Sequence, residues 1–543
     1  MSISIRKLVI LLTAALALGG AAAGAQAASL AEIESAYADF NDATGAIGLI
    51  ESGLRDSHEG RTRGEWQRLQ ADAREHVLTG LKGLDESGLS AEDRRAVEIM
   101  RQAMTGFEEG DSLAPLGKCE DAQRKNLEYA ALRKALYACF GSLSNSLDFE
   151  GRKVTRVGAF DLLTRIDESE QRRKLFLQFV PLWQAINGKN EPDSPYRRAI
   201  AMAAKEARAE GSAIDAAART VGASTADVEK WLVQILDAWR KASGTQQVEP
   251  WDYRYVGGAA ERELGDEIAR EALQPLNERY YSDLGANLNA WNVIYDLDPR
   301  EGKAPLAYTD YVRRGRSRDG QWVPTQVRVS GNYAHGGLGL LNELVHENGH
   351  AVHMMALKTR PAFMDLGDAL FYEAFADVPS WSTYEPAWQQ KYLGRSSTEG
   401  SSLRALYSSV MLDVAWALFE ARMLRAPTQD PNKVWTEITN RYLHVTAHPE
   451  LSWWLVRVQL VDSPGYMVNY GLGAVVTADL RQRIAGKIGS FTTGNERWYA
   501  WLSEQLLSSG QTYETAVLLR QFLGRPVSPQ ALLTEIGRIQ KKN

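Results

Sequence analysis

The residues of this chain with the most specific chemistry lie in L-L-N-E-L-V-H-E-N-G-H-A-V-H, from Leu340 to His353. His346, Glu347 and His350 form an H-E-x-x-H pattern. On a helix, positions i and i+4 share a face, so both imidazoles can reach one metal ion. Glu347 then stands beside them, placed to take a proton from a water that the metal activates. Two satisfied histidines on a buried helix would give the same spacing. The intervening Glu347 favours zinc, one ion per chain.

Two histidines leave a zinc site one protein ligand short. The segment F-Y-E-A-F-A-D, Phe371 to Asp377, offers Glu373, whose apolar neighbours argue against a surface carboxylate. Asp377 lies one turn further on and can fix a ligand histidine by accepting from its outer nitrogen; helix-surface or cap use is the other reading. His335 and His353 read as substrate-binding or structural, and His444 and His448 as an i,i+4 pair cut short by Pro449. In S-P-G-Y-M-V-N-Y-G-L-G, Tyr466 and Tyr470 are phenol donors able to stabilise an oxyanion, or core aromatics.

Helices must position these groups. Apolar residues recur at helical spacing through Ser29–Gln102, as in Trp66, Leu69, Ala73, Val77, Leu81 and Leu84, with Ser90 as a helix cap. Tyr129, Leu132 and Leu136 mark another helix, and two more are expected to meet near Asp167. Trp231, Leu232, Ile235, Leu236 and Trp239 form a core stripe. After Ala286 the texture changes. Trp291–Asp296 and Gln321–Ser330 alternate like strands, giving a small sheet just before the metal helix. Val329–Tyr333 is the candidate edge for binding an extended peptide by strand addition. The helical pattern resumes over Phe371–Trp381, Ser402–Arg425 and Val434–Ile536.

The 543 residues suffice for a large core. With 62 basic and 68 acidic residues, net −6, nothing favours a nucleic-acid partner. Met1–Ala27 reads as a secretory signal peptide: Arg6 and Lys7, an apolar run from Leu8 to Leu18, then Ala25-Gln26-Ala27. Export to the periplasm or secretion is therefore expected, with no stable membrane insertion after cleavage. Cys119 and Cys139 then meet an oxidising space and can form a disulfide; two buried thiols are the other reading. The expected organisation is a signal peptide over 1–27 and a single helical catalytic domain over 28–543, with an N-terminal helical part (28–285) and a metal-site part (286–543).

Taken together, H-E-N-G-H-A-V-H, F-Y-E-A-F-A-D, Y-D-L-D-P-R-E-G-K-A and S-P-G-Y-M-V-N-Y-G resemble the gluzincin zinc peptidases of the thimet oligopeptidase and peptidyl-dipeptidase family. More distantly they resemble angiotensin-converting enzyme. The resemblance runs from about Tyr295 to Ile536. It implies a mostly α, elongated, two-lobed fold with a deep central channel and a small β-sheet beside the zinc helix. It also implies hydrolysis of short unfolded peptides by a monomer, with His346, His350 and Glu373 as zinc ligands, Glu347 as general base and one tyrosine of the glycine-rich loop on the oxyanion. The pattern departs from the family before that loop, where Arg457, Gln459 and Asp462 stand and a histidine is usual. A non-catalytic peptide-binding protein and a zinc aminopeptidase are the rival readings.

Overall fold

The computed structural model describes residues 28–111, 119–265, 268–300, 303 and 306–540. The expected signal segment, Met1–Ala27, lies outside the described residues. The first helix, Leu30–Glu51, starts at a capping box in which Ser29 and Glu32 satisfy each other's backbone N–H groups. Thr62 and Glu65 open the helix Arg63–Gly83 with the same device. Ser90 accepts from the N–H of Asp93 at 3.1 Å to start Ala91–Asp111. These three helices bury Ile33, Phe40, Val77, Leu81, Val97 and Met100 against Ala362 and Phe363, which follow the motif helix. Leu69 departs from the expected stripe and stays 40% exposed.

The principal core draws on both expected parts of the chain. Trp183, Leu232, Leu236 and Trp239 pack in one cluster with Leu341, Leu344, Phe375, Trp416, Trp454 and Leu472. Each such side chain contributes on the order of 1.5–3 kcal/mol by leaving water. The stripe on Thr225–Ala242 is therefore structural, as its spacing suggested. The helices Arg156–Arg165 and Ser169–Phe176 meet around Asp167. Among the described residues no helix is long and apolar enough to cross a membrane.

The sheet beside the motif helix corrects two expectations. Gln321–Ser330 is not one strand: it breaks at Pro324, which has no N–H for a ladder. Gln321–Val323 pairs with Arg316–Arg318, whereas Gln326–Ser330 is the middle strand of a separate sheet. There it lies parallel to Ile294–Asp296 and antiparallel to Tyr308–Arg313, a strand the alternation had not singled out. Val329–Tyr333 is consequently no edge, since the N–H groups of Gly331 and Tyr333 continue the pairing onto Asp296 and Leu297 at 2.9 and 3.0 Å. One edge of the sheet is Tyr308–Arg313. Helix Leu30–Glu51 covers its far end, where Gly45 leaves room for the carbonyls of Tyr311 and Val312. Tyr308–Asp310 lies nearer the motif helix.

Cys119 and Cys139 are joined in a disulfide across a sequence separation of 20. It staples the short helix Cys119–Ala122 to the buried face of Tyr129–Ser144. Closing a loop of that length removes denatured-state entropy worth about 3 kcal/mol. The Cys119→Ser, Cys139→Ser double variant should therefore unfold about 3 kcal/mol more easily in a denaturant titration, and reducing the native protein should reproduce the loss.

Candidate active site

The motif helix runs from Leu338 to Ala356. Leu341, Leu344 and Val345 are fully buried along it, as the apolar run required. Its N-terminus is capped from a distance. Gly337, the cap residue, has no side chain to offer. Instead Glu261 accepts from the N–H groups of Leu338 and Gly339 at 2.8 and 2.9 Å. A carboxylate there also meets the positive end of the helix dipole. Arg165 holds Glu261 at 3.0 Å. Further along, the Tyr295 hydroxyl donates to Asn348 at 2.8 Å and the Tyr281 hydroxyl to the carbonyl of Val345 at 2.6 Å. These contacts fix the rotation of the helix.

Helix Ala369–Ser380 crosses the motif helix at Gly349. A Cβ there would stand 2.7 Å from Cα of Ala376 and 3.0 Å from its carbonyl oxygen. This close approach brings Glu373 to the histidines: its Oε2 lies 3.3 Å from Nε2 of His346 and 3.9 Å from Nε2 of His350. Asp377 Oδ1 sits 2.8 Å from Nδ1 of His346. Glu347 is on the same helix as the histidines, and all three side chains offer ligand atoms within 4.8 Å of one another. The hydroxyl of Thr309 donates both to Glu347 Oε2, at 2.9 Å, and to the Glu347 carbonyl.

This donor set fits a zinc ion. A tetrahedral site with ligands at about 2.0–2.1 Å has edges of about 3.3–3.4 Å. The His346–Glu373 edge has that length and the His350–Glu373 edge is slightly longer. Two carboxylates compete for the third position. Glu373 is favoured because it meets both Nε2 atoms, whereas Thr309 engages Glu347. His350 Nδ1 is buried with no hydrogen-bond partner, so Asp377 orients one imidazole only.

Burial dominates the electrostatics. It pushes the Glu347 carboxyl up to about 8, against the pull of His346. Burial would depress His346, yet Asp377 and Glu373 hold it above its ordinary value. His350 is held well down by burial and by His346. Some surface nevertheless remains accessible, with 19% of the His346 side chain and 13% of that of Glu373 exposed. These groups are densely surrounded yet still reachable by solvent.

Tyr372 stands on one wall, with its ring 5.6 Å from that of His350 and its hydroxyl 3.4 Å from that of Tyr466. Tyr470 follows, with ring centroids 5.8 Å from Tyr466. Arg457, ahead of the loop that carries both tyrosines, places its guanidinium 5.8 Å from the Tyr470 ring and bonds Asp413 at 2.6 Å. Two more arginines gather there. Arg254 lies 3.9 Å over Phe160 and Arg156 lies 5.4 Å from the same ring. Burial and their mutual repulsion pull Arg254 down to about 9, and burial with Arg457 pulls Arg156 to about 10. Asp413 and Glu343 partly offset them. Glu343, itself pushed up by burial, is the group between Arg156 and His346. Sequence reasoning noted Arg457 but gave no role to Tyr372, Arg156, Arg254 or Glu343. Only Glu343, three residues before His346, carried a local signal.

The other histidines stay outside this group. His353 is 1% exposed, packs between Phe371 and Phe375, and is driven down to about 3 by burial, so it remains a neutral core residue. His335 bonds its neighbour's carbonyl and faces Asp161. His444 ends a helix in the left-handed region at φ 56°, and His448 is held between Glu249 and Glu450 at 2.7 Å each.

No family model matches the sequence, and no curated protein matches it. Solved structures do. The chain is similar to an M32 carboxypeptidase from Deinococcus radiodurans R1, with 15% identity over 94% of this chain and 99% of that one, at a TM-score of 0.53. It is similar to PZ peptidase A bound to an inhibitor, with 14% identity over 94% and 96%, at a TM-score of 0.58. At such identities the likeness is one of fold. It covers nearly the whole chain and agrees with the mostly α, elongated architecture expected.

Gly349→Ala should force the two site helices apart and part Glu373 from the histidines. Stability should fall by about 1–3 kcal/mol, and zinc per chain, read by elemental analysis after dialysis, should drop well below one. Asp377→Ala should weaken zinc affinity about 10–100-fold in a competition titration while leaving the unfolding midpoint of the metal-free protein close to native.

Proposed function

We propose that this chain is a zinc-dependent peptidase of short, unfolded peptides. The observation that carries the reading is the convergence of Glu373 on His346 and His350, with Glu347 beside them and held by Thr309. His346, His350 and Glu373 would hold one Zn²⁺, which when bound would polarise the scissile carbonyl and lower the pKa of water. Glu347 accepts the proton of the attacking water and passes it to the leaving amine. Thr309 occupies Oε2 of Glu347 and leaves Oε1 to handle that proton. The hydroxyls of Tyr466 and Tyr470 donate to the carbonyl oxygen as negative charge builds. Tyr372 braces the first of them.

The substrate enters extended. Tyr308–Asp310, the strand edge beside Glu347, supports main-chain pairing in place of Val329–Tyr333. Arg156, Arg254 and Arg457 cluster on this side of the site, and a guanidinium suits the free carboxylate of a peptide end. An aminopeptidase would need the opposite charge to hold an amine. We therefore read the enzyme as releasing short pieces from carboxyl ends, in the manner of a peptidyl-dipeptidase, with oligopeptidase cleavage as the broader form. The two similar structures are a carboxypeptidase and a peptidase, which supports the reaction class. The motifs support a finer placement with thimet oligopeptidase and the peptidyl-dipeptidases, and at greater distance converting enzyme. The disulfide and the signal-like pattern of Met1–Ala27 support work in the periplasm or outside the cell, and we take the protein to act as a monomer.

Glu347→Gln should keep one zinc per chain and lose at least about 100-fold in turnover on a mixed peptide library; undiminished cleavage would remove Glu347 from its role. Mass spectra of the native products should show carboxyl-terminal fragments released from free acids at least about 10-fold faster than from the matching amides. Release of single amino-terminal residues would replace this reading with the aminopeptidase.

A further inference from the structure

Glu420 is a buried acid for which the proposed chemistry has no direct use. It lies on the long helix Glu399–Arg425 and is 1% exposed. Its Oε1 accepts from the N–H of Gly465 at 2.8 Å, and its Oε2 accepts from the N–H of Met467 at 2.8 Å. These two donors flank Tyr466. Among the described residues no cation neutralises the carboxylate: burial pushes it up to about 8, and the two backbone donors pull it back. Tyr196 and Tyr129, from the neighbouring helices, feel its charge. Such a group is costly unless its hydrogen bonds are made. A glutamine offers one oxygen and an apolar side chain none, so only the carboxylate accepts from both N–H groups at once.

We infer that Glu420 is a positioning residue: by clamping the peptide units on either side of Tyr466 it aims that phenol at Tyr372 and the metal-ligand wall. The chain of contacts is continuous. Glu420 holds Gly465 and Met467; Tyr466 between them meets the Tyr372 hydroxyl at 3.4 Å; Tyr372 adjoins Glu373 and packs against His350. Both prongs are required. One N–H alone would let the intervening peptide units swing about the other, and a phenol displaced by an ångström loses most of its value to a developing oxyanion. The sequence gives no sign of the clamp, because Glu420 sits in an apolar helix far from the loop it holds.

The inference rests on the reading of Tyr466 given above, so the test has two arms. In Glu420→Gln one acceptor becomes a donor facing a backbone donor. Amide hydrogen exchange should then accelerate about 10-fold or more across Gly465–Met467 while the motif helix stays protected. In the kinetic arm, kcat for a cleaved reporter peptide should fall about 10-fold or more with KM changed less than about 2-fold, and Glu420→Gln should add no further loss in the Tyr466→Phe background. Unchanged exchange overturns the clamp whether or not the protein cleaves peptides. A loss of the same size in both backgrounds overturns the link to Tyr466 and leaves a merely structural acid. If the native protein hydrolyses nothing, the peptidase reading fails while the exchange arm still decides the clamp.

Discussion

The structure depends on one close contact: the motif helix meeting helix Ala369–Ser380 at Gly349 and Ala376. A hydrogen in place of a methyl lets the backbones approach. That approach is what brings Glu373 to the same point in space as His346 and His350. The surrounding structure holds it. Glu261 caps the motif helix, Tyr281 and Tyr295 set its rotation, and Asn342 donates to the carbonyl of Ser380 at 2.9 Å, tying the second helix to the first. The apolar core on the other faces makes sliding costly, because close-packed side chains have few alternative arrangements.

A wall of different character faces this rigid floor. Tyr372, Tyr466, Tyr470, Arg156, Arg254 and Arg457 come from four separated stretches of the chain and keep some solvent access. They combine hydroxyls with three guanidinium groups, and Arg457, with Asp413 to hold it, supplies a permanent charge.

Buried and partly buried ionisable groups divide by task. Glu261 and Glu420 serve backbone N–H groups, one at a helix end and one at a loop. Asp377 serves an imidazole. Asp42, raised to about 6 by burial, holds Arg316 at 2.7 Å and helps join the N-terminal helices to the sheet region. In each case the acid is far in sequence from what it holds, so tertiary structure is encoded in polar contacts as much as in the apolar core.

Helix and motif were legible because they are local. Spacing alone put His346 and His350 on one face with Glu347 beside them, and the apolar repeat of Thr225–Ala242 and the capping Ser90 marked real helices. The nearby F-Y-E-A-F-A-D segment pointed to Glu373 and Asp377 through its residue types. Non-local features were out of reach. Period-2 alternation marked Gln321–Ser330 as one strand; it did not show the break at Pro324, nor that Gln326–Ser330 lies in the middle of its sheet, since pairing partners on both sides come from elsewhere. The pairing of Asp377 with His346 and not His350, the role of Thr309 beside Glu347, the arginine cluster and the Glu420 clamp all require segments tens to hundreds of residues apart to meet. The sequence by itself determined which residues could bind a metal and move a proton. Only the tertiary structure decided which of them meet and what charge surrounds them, because distance and burial, not residue type, set the strength of each interaction.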